Sequence, residues 1–267
     1  MKRIGIALGG GGAKGFCHIE FLRAIEELGY RPSIISGTSI GAVIGGMYAS
    51  GMSPSDIQTV ISELKLLDIG KMVDISIFGM SGFVKGKALE EFFNNTMPVN
   101  DFAKLRIPLK IVATDFWKRD EHVFDKGSLV TAMRASMSLP GIFEPVQSGG
   151  RVLVDGGCVN PLPYDIIRGQ CDVLVAVDVS GTKVPSDPNT SPNIFESIFT
   201  TFQIMQASIV QGMMEKLQPD LYVKPELKNV RMLEFYKYEE IKKGVDGDIR
   251  KFKDDLQKLM KPVFGIF

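Results

Sequence analysis

Ile4-Gly5-Ile6-Ala7-Leu8-Gly9-Gly10-Gly11-Gly12-Ala13-Lys14-Gly15 decides the fold class. Ile4 to Leu8 is a short apolar run without charge, the pattern of a strand buried on both faces. Four glycines end it. Beyond them, Phe16, Ile19, Leu22, Ala24, Ile25 and Leu28 recur at helical spacing over 16–28, and Gly29 closes the helix.

The same alternation continues along the chain. Strands are expected at 33–36, 109–113, 151–154, 173–177 and 221–223. Helices are expected at 40–49, from Ser53-Pro54 onward, and at 87–95, 128–137, 194–217 and 239–259. Ser53 suits an N-cap, with Pro54 in the first turn. Residues 66–86 fit neither period and read as a loop or lid, and 181–193 as a surface loop. Alternating strands and helices argue for a single α/β domain over 1–267, with a mostly parallel sheet and helices on both faces.

Composition bounds the function. Of 267 residues, 45% are apolar and 23% charged, which excludes disorder as the main state. Lys plus Arg and Asp plus Glu number 31 each, so the formal net charge is 0. A nucleic-acid binder would carry a basic excess. Cys17, Cys158 and Cys171 are too scattered for a disulfide framework or a metal site, which favours a reducing compartment. Met1-Lys2-Arg3 starts like a signal peptide, but the apolar run ends at Gly9, too short for one. No run of 18 apolar residues suggests a membrane span. A soluble, cytoplasmic protein is the expectation.

Gly10 to Gly15 lies between strand and helix, where backbone N–H groups and the positive helix end converge on an anion. Lys14 would add charge there. Three readings stay open: a dinucleotide fingerprint, an oxyanion hole, and a plain turn. The fingerprint expects an acidic residue at the end of the second strand, where Ile35, Ser36 and Gly37 stand instead. The P-loop reading fails because Lys14 is not followed by Ser or Thr.

Gly37-Thr38-Ser39-Ile40-Gly41 matches G-x-S-x-G between a strand and a small-residue helix, the setting in which a serine is held exposed on a sharp turn. The plainer alternative is that Ser39 only caps the helix. A serine nucleophile needs a base. The chain has His18 and His122 and no histidine later, so none stands late in the chain after Asp155, as the common Ser…Asp…His order of α/β-hydrolases would have it. His18 sits one turn into the first helix and reads as a loop support or packing residue. His122, within Lys118-Arg119-Asp120-Glu121-His122, reads as a solvated surface residue. A buried carboxylate can replace imidazole if its pKa is raised. Asp155 ends an apolar strand and is followed by Gly156-Gly157, so backbone can approach it. Asp115 and Asp178 are lesser candidates.

Together, Gly10 to Gly15, Gly37 to Gly41, Asp155-Gly156-Gly157, the segment Ala135-Ser136-Met137-Ser138-Leu139-Pro140-Gly141-Ile142-Phe143, Asn160-Pro161-Leu162-Pro163 and Val112-Ala113-Thr114-Asp115 resemble the patatin-like phospholipases, in a short single-domain bacterial form. The resemblance covers residues 3–180 in motifs. It implies a three-layer α/β/α sandwich and hydrolysis of acyl esters of lipids. It also implies a Ser39–Asp155 dyad without histidine, an oxyanion hole drawn from Gly10, Gly11, Gly12, Ala13, Lys14 and Gly15, and an elbow flanked by Gly37 and Gly41. Gly156 and Gly157 would support the aspartate. No cofactor and no metal are expected.

The alternatives are a Rossmann-like dinucleotide-binding oxidoreductase and a non-catalytic lipid-binding protein of the same fold. An acyl slot is expected from residues 66–86 and from Phe195, Phe199, Phe202, Met205, Met213 and Met214. The partner expected is a lipid or ester substrate, with transient contact at a membrane surface on its inner face. The closing helix, Lys237 to Lys261, balances bases with acids and reads as a solvated face.

Overall fold

The computed structural model describes residues 2–66, 86–180, 191–192, 194–227, 230–232 and 234–261. The expected lid (66–86) and surface loop (181–193) fall almost wholly outside the described residues.

Among the described residues, eight strands form one sheet: β1 (Ile4–Leu8), β2 (Pro32–Thr38), β3 (Leu109–Asp115), β4 (Asp120–Phe124), β5 (Val146–Ser148), β6 (Arg151–Asp155), β7 (Val173–Val177) and β8 (Leu221–Val223). Their order is β5-β6-β3-β2-β1-β7-β8, with β4 paired to β3 off this path. Pairs β1–β2, β1–β7, β2–β3 and β7–β8 are parallel, and β3–β4, β3–β6 and β5–β6 antiparallel. The sheet is thus mostly parallel, as the alternation of elements requires.

Apolar side chains leave both faces of the central strands. Ile4, Ile6 and Leu8 join Ile35, Val175 and Val177 in the main core, while Ala7, Ile34, Leu174 and Ala176 face a second one. The main core is covered by α1 (His18–Glu27), α2 (Ile40–Ala49), α3 (Pro54–Leu66), α4 (Gly86–Thr96), α5 (Leu129–Ser136), α7 (Tyr238–Gly244) and α8 (Asp246–Met260). The opposite face is covered by the 3-10 turn Asp165–Gln170 and by α6 (Ile194–Lys216), through Ile167 and Val210. All ten residues of α2 are buried, as an all-round apolar helix must be.

Several expectations are corrected. The helix expected over 16–28 begins as a 3-10 segment, Gly12–Cys17, before α1. His122 is half-buried, not a solvated surface residue, although Lys118, Arg119 and Asp120 are exposed: Asp120–Phe124 is β4, laid antiparallel on β3. Its charged, half-buried residues hide it from an apolar-run criterion. The closing helix is two helices broken at Val245, and it is not merely a solvated face. Phe252, Leu256 and Met260 are buried, and the Phe252 ring meets Phe21 edge-on at 5.1 Å. Among the described residues no helix is long and apolar enough to cross a membrane.

Phe252→Ala should therefore destabilise the chain by about 3–5 kcal/mol in urea denaturation. A loss below about 1 kcal/mol would detach α8 from the core.

Candidate active site

Strand β3 brings the site together. Its first half pairs with β2, aligning Gly37 with Ile111 and Thr38 with Val112. Its second half pairs with β6, aligning Ala113 with Asp155. Because β4 occupies Ile111 to Asp115 from the other edge, β2 and β6 share one edge and meet end to end. Ser39 leaves the end of β2 and Asp155 the end of β6. Ser39 Oγ donates to Asp155 Oδ2 at 2.8 Å.

Each end is held separately. Ser39 has φ 54° and ψ −123°. A serine in that region costs about 1–3 kcal/mol, which the surroundings must impose. A Cβ on Gly41 would sit 2.0 Å from Leu8 O, so only glycine lets α2 start this close to β1. Gly37 lies directly against the Gly41 backbone. The Ser39 N–H donates to Ser136 Oγ, which in turn donates to Val112 O. Thr38 Oγ1 donates to Asn160 O. On the other side, Asp155 N–H donates to Ser138 O, Thr114 Oγ1 donates to Asp155 O, and the Gly157 N–H donates to Asp155 Oδ1. Gly156 and Gly157 open the 3-10 turn that carries this donor.

Burial pushes the Asp155 carboxyl up to about 6, against the Gly157 N–H and Ser39 hydroxyl, which favour its charged form. Asp115 and Asp178 are elsewhere engaged. Burial acts on them too, but Arg151 and the Lys118 N–H hold Asp115 low, and Lys224, Ser180 and Tyr222 hold Asp178 low.

The glycine loop borders the same cleft. Gly9 and Gly10 N–H donate to Val177 O and Pro161 O, and Ala13 N–H donates to Met232 O. Ala13 is therefore not available as an anion donor, contrary to expectation. Among the described residues, the Gly11 and Gly12 N–H groups make no hydrogen bond, and both residues line the cleft. Gly12 has φ 61°, and a Cβ there would strike Met232 O at 2.2 Å. Gly15 packs against Ile40. Lys14 is buried and titrates low through burial and the nearby Lys224, with Asp178 acting the other way. Lys14 is not among the residues that line the cleft.

Neither histidine hydrogen-bonds to Ser39 or Asp155. His18 Nε2–H donates to Gly9 O at 2.8 Å, and burial lowers its pKa to about 4, so it supports the loop as a neutral ring. His122 packs on Phe124 from β4, with its ring 4.5 Å away.

Ile40, Met137, Leu139, Phe143, Phe202, Met232 and Phe235 give the cleft its apolar wall. Of the α6 side chains expected there, Phe202 lines it, Met205 is exposed, and Met213 and Met214 pack into the second core. Gln206, which no sequence motif marks, also lines it. Ser136 and Asn160, quoted within family-like segments, prove to anchor the elbow.

Comparison with known proteins follows the geometry. A model of the family described as patatin-like phospholipase matches residues 6–167. An uncharacterized NTE family protein of Mycobacterium tuberculosis is 33% identical over 193 residues, 72% of this chain and 53% of that protein. Lysophospholipase NTE1 of Saccharomyces cerevisiae is 28% identical over 264 residues, 90% of this chain and 16% of that protein. The chain thus spans about half the length of the mycobacterial relative and far less of the yeast one. Among solved structures, VipD from Legionella pneumophila superposes with TM-score 0.52 at 13% identity, covering 95% of this chain and 66% of that one, a likeness of fold.

A folded-state pKa near 6, above the ordinary 3.8, means that the protonated form favours folding. That contribution is present below the unfolded value and is lost as pH rises through about 6. Melting temperatures of the wild type should thus fall relative to Asp155→Asn between pH 4 and 6.5. Parallel curves would contradict a raised pKa.

Proposed function

The chain belongs to the patatin-like phospholipase family, and on that premise we propose that it is a serine acyl-ester hydrolase of lipids working through Ser39 and Asp155. The observation that carries this reading is the 2.8 Å hydrogen bond from Ser39 Oγ to a buried carboxylate. The dinucleotide and non-catalytic readings leave that contact without a purpose.

Asp155 takes the Ser39 proton as Oγ attacks the ester carbonyl. The carbonyl oxygen becomes an oxyanion beside the Gly11 and Gly12 N–H groups, and each such donor contributes about 3–4 kcal/mol to the transition state. The amino-terminal end of α2, directly behind Ser39, favours the same negative charge. Asp155 returns its proton to the departing alcohol, leaving acyl-Ser39. Water then attacks the acyl carbon, Asp155 again moves the proton, and the fatty acid leaves. The apolar wall from Met137 to Phe235 suits an acyl chain, and it includes the adaptable side chains of Met137 and Met232.

Phospholipid or lysophospholipid esters are the substrate class. Ile194, Ile198, Ile204 and Met205 stand exposed on the helix that carries Phe202, and this face suits transient contact with a lipid surface. The free cysteines fit a cytoplasmic place.

Ser39→Ala should lower ester hydrolysis at least about a thousandfold and abolish fluorophosphonate labelling while leaving the melting temperature within a few degrees. Retained turnover would refute the nucleophile. In the wild type, kcat/KM should climb as pH rises through about 6, because only ionised Asp155 accepts the proton. A flat profile from pH 5 to 8 would refute the base.

A further inference from the structure

The dyad and the two loop N–H groups account for the polar lining of the cleft except at one place. Gln206, in the middle of α6, is 2% exposed and lines the cleft with Ser39 and Asp155. Its Oε1 is fully buried and has no hydrogen-bond partner among the described residues. A stranded buried acceptor costs about 1–3 kcal/mol, so a native protein rarely keeps one without use.

Gly157 locates the carboxamide. A Cβ on Gly157 would fall 2.0 Å from Gln206 Nε2 and 3.0 Å from Asp155 Oδ1, so the two polar groups close over the same side of that residue, at most about 5 Å apart. No hydrogen bond joins them directly. Two polar groups at such a separation are suited to one bridging water. The cleft, at about 50 Å³, has room for it. A carboxamide serves in either orientation, since its oxygen accepts from water and its nitrogen donates to it.

We propose that Gln206 positions the hydrolytic water against Asp155 for cleavage of acyl-Ser39. The inference rests on the serine–aspartate reading. The water accepts from the Gln206 Nε2–H, the amide atom that lies against Gly157 beside Asp155 Oδ1, and donates to the Asp155 carboxylate. It gives one proton to Asp155 as its oxygen bonds to the acyl carbon, while the Gln206 amide N–H holds that oxygen in place. The tetrahedral intermediate then breaks its C–Oγ bond, the proton passes from Asp155 to Ser39 Oγ, and the carboxylic acid departs. Acylation needs no such water. Gln206 therefore acts on the second half-reaction alone.

Gln206→Met keeps length and volume but removes both polar atoms, a change a buried site tolerates when no partner is stranded. With the full chain and p-nitrophenyl butyrate, stopped-flow should show a first turnover within about threefold of wild type and a steady state at least about tenfold slower. Intact mass spectrometry should show the butyryl adduct on Ser39 accumulating. Gln206→Asn, which withdraws the amide by one methylene, should behave alike and serves if the first variant fails to fold. Steady-state turnover within twofold of wild type overturns the proposal. So does an equal loss in both phases without adduct. Failure of the underlying reading is seen separately, as a wild-type protein whose Ser39 resists fluorophosphonate.

Discussion

One strand edge shared by two others is the constraint on which the site depends. A strand offers a neighbour one ladder per edge. Here β3 divides that ladder between β2, arriving parallel, and β6, arriving antiparallel. Two chain segments 116 residues apart are thereby aimed at each other, and Ser39 and Asp155 stand in the gap between them. Placement of the two oxygens follows from backbone pairing in a buried sheet, which holds position better than loops do. The fixed gap also explains why the elbow tolerates a strained serine. Gly41 closes on Leu8, Ser136 holds the Ser39 N–H, and Asn160 holds Thr38.

Electrostatics then sort three aspartates at or just beyond strand ends. Asp115 and Asp178 lie as deep as Asp155, yet each has a cation at hydrogen-bond distance: Arg151 at 2.8 Å and Lys224 at 2.9 Å. Those two carboxylates are structural anions. Asp155 has a serine hydroxyl and one amide, with no cation against it among the described residues, and of the three only it is raised toward neutrality. The difference between an acid that braces the fold and one able to accept a proton lies in the partner, since burial is common to all three. In the proposed mechanism such a carboxylate takes the place of imidazole, while His18 is spent on holding Gly9.

The central strands, the glycine turn and the elbow were legible because burial on both faces leaves unbroken apolar runs such as 4–8 and 173–177, and because sharp turns demand glycine. The convergence of Ser39 and Asp155 came through ordered motifs, since no local pattern reveals that two strands share an edge. Strand β4 was hidden by its charge, for it lies half-exposed on the outer edge of β3. The break at Val245 separates two helices that one amphipathic period runs through. Ala13 N–H was lost to Met232, a residue 219 positions away, and such long-range pairing leaves no trace nearby. Gln206 is a lone amide in a helix dominated by Phe and Met, where only the folded neighbourhood of Gly157 gives it meaning.

The central claim is that one buried carboxylate is in direct contact with the serine hydroxyl and is tuned by burial. Carbon-13 NMR titration of the Asp155 side-chain carboxyl, in the wild type and in Ser39→Ala, reads this directly. The account predicts a midpoint near 6 in the wild type, moved higher when the hydroxyl that favours the anion is removed. A midpoint at the ordinary 3.8, or one unmoved by loss of the hydroxyl, would contradict it.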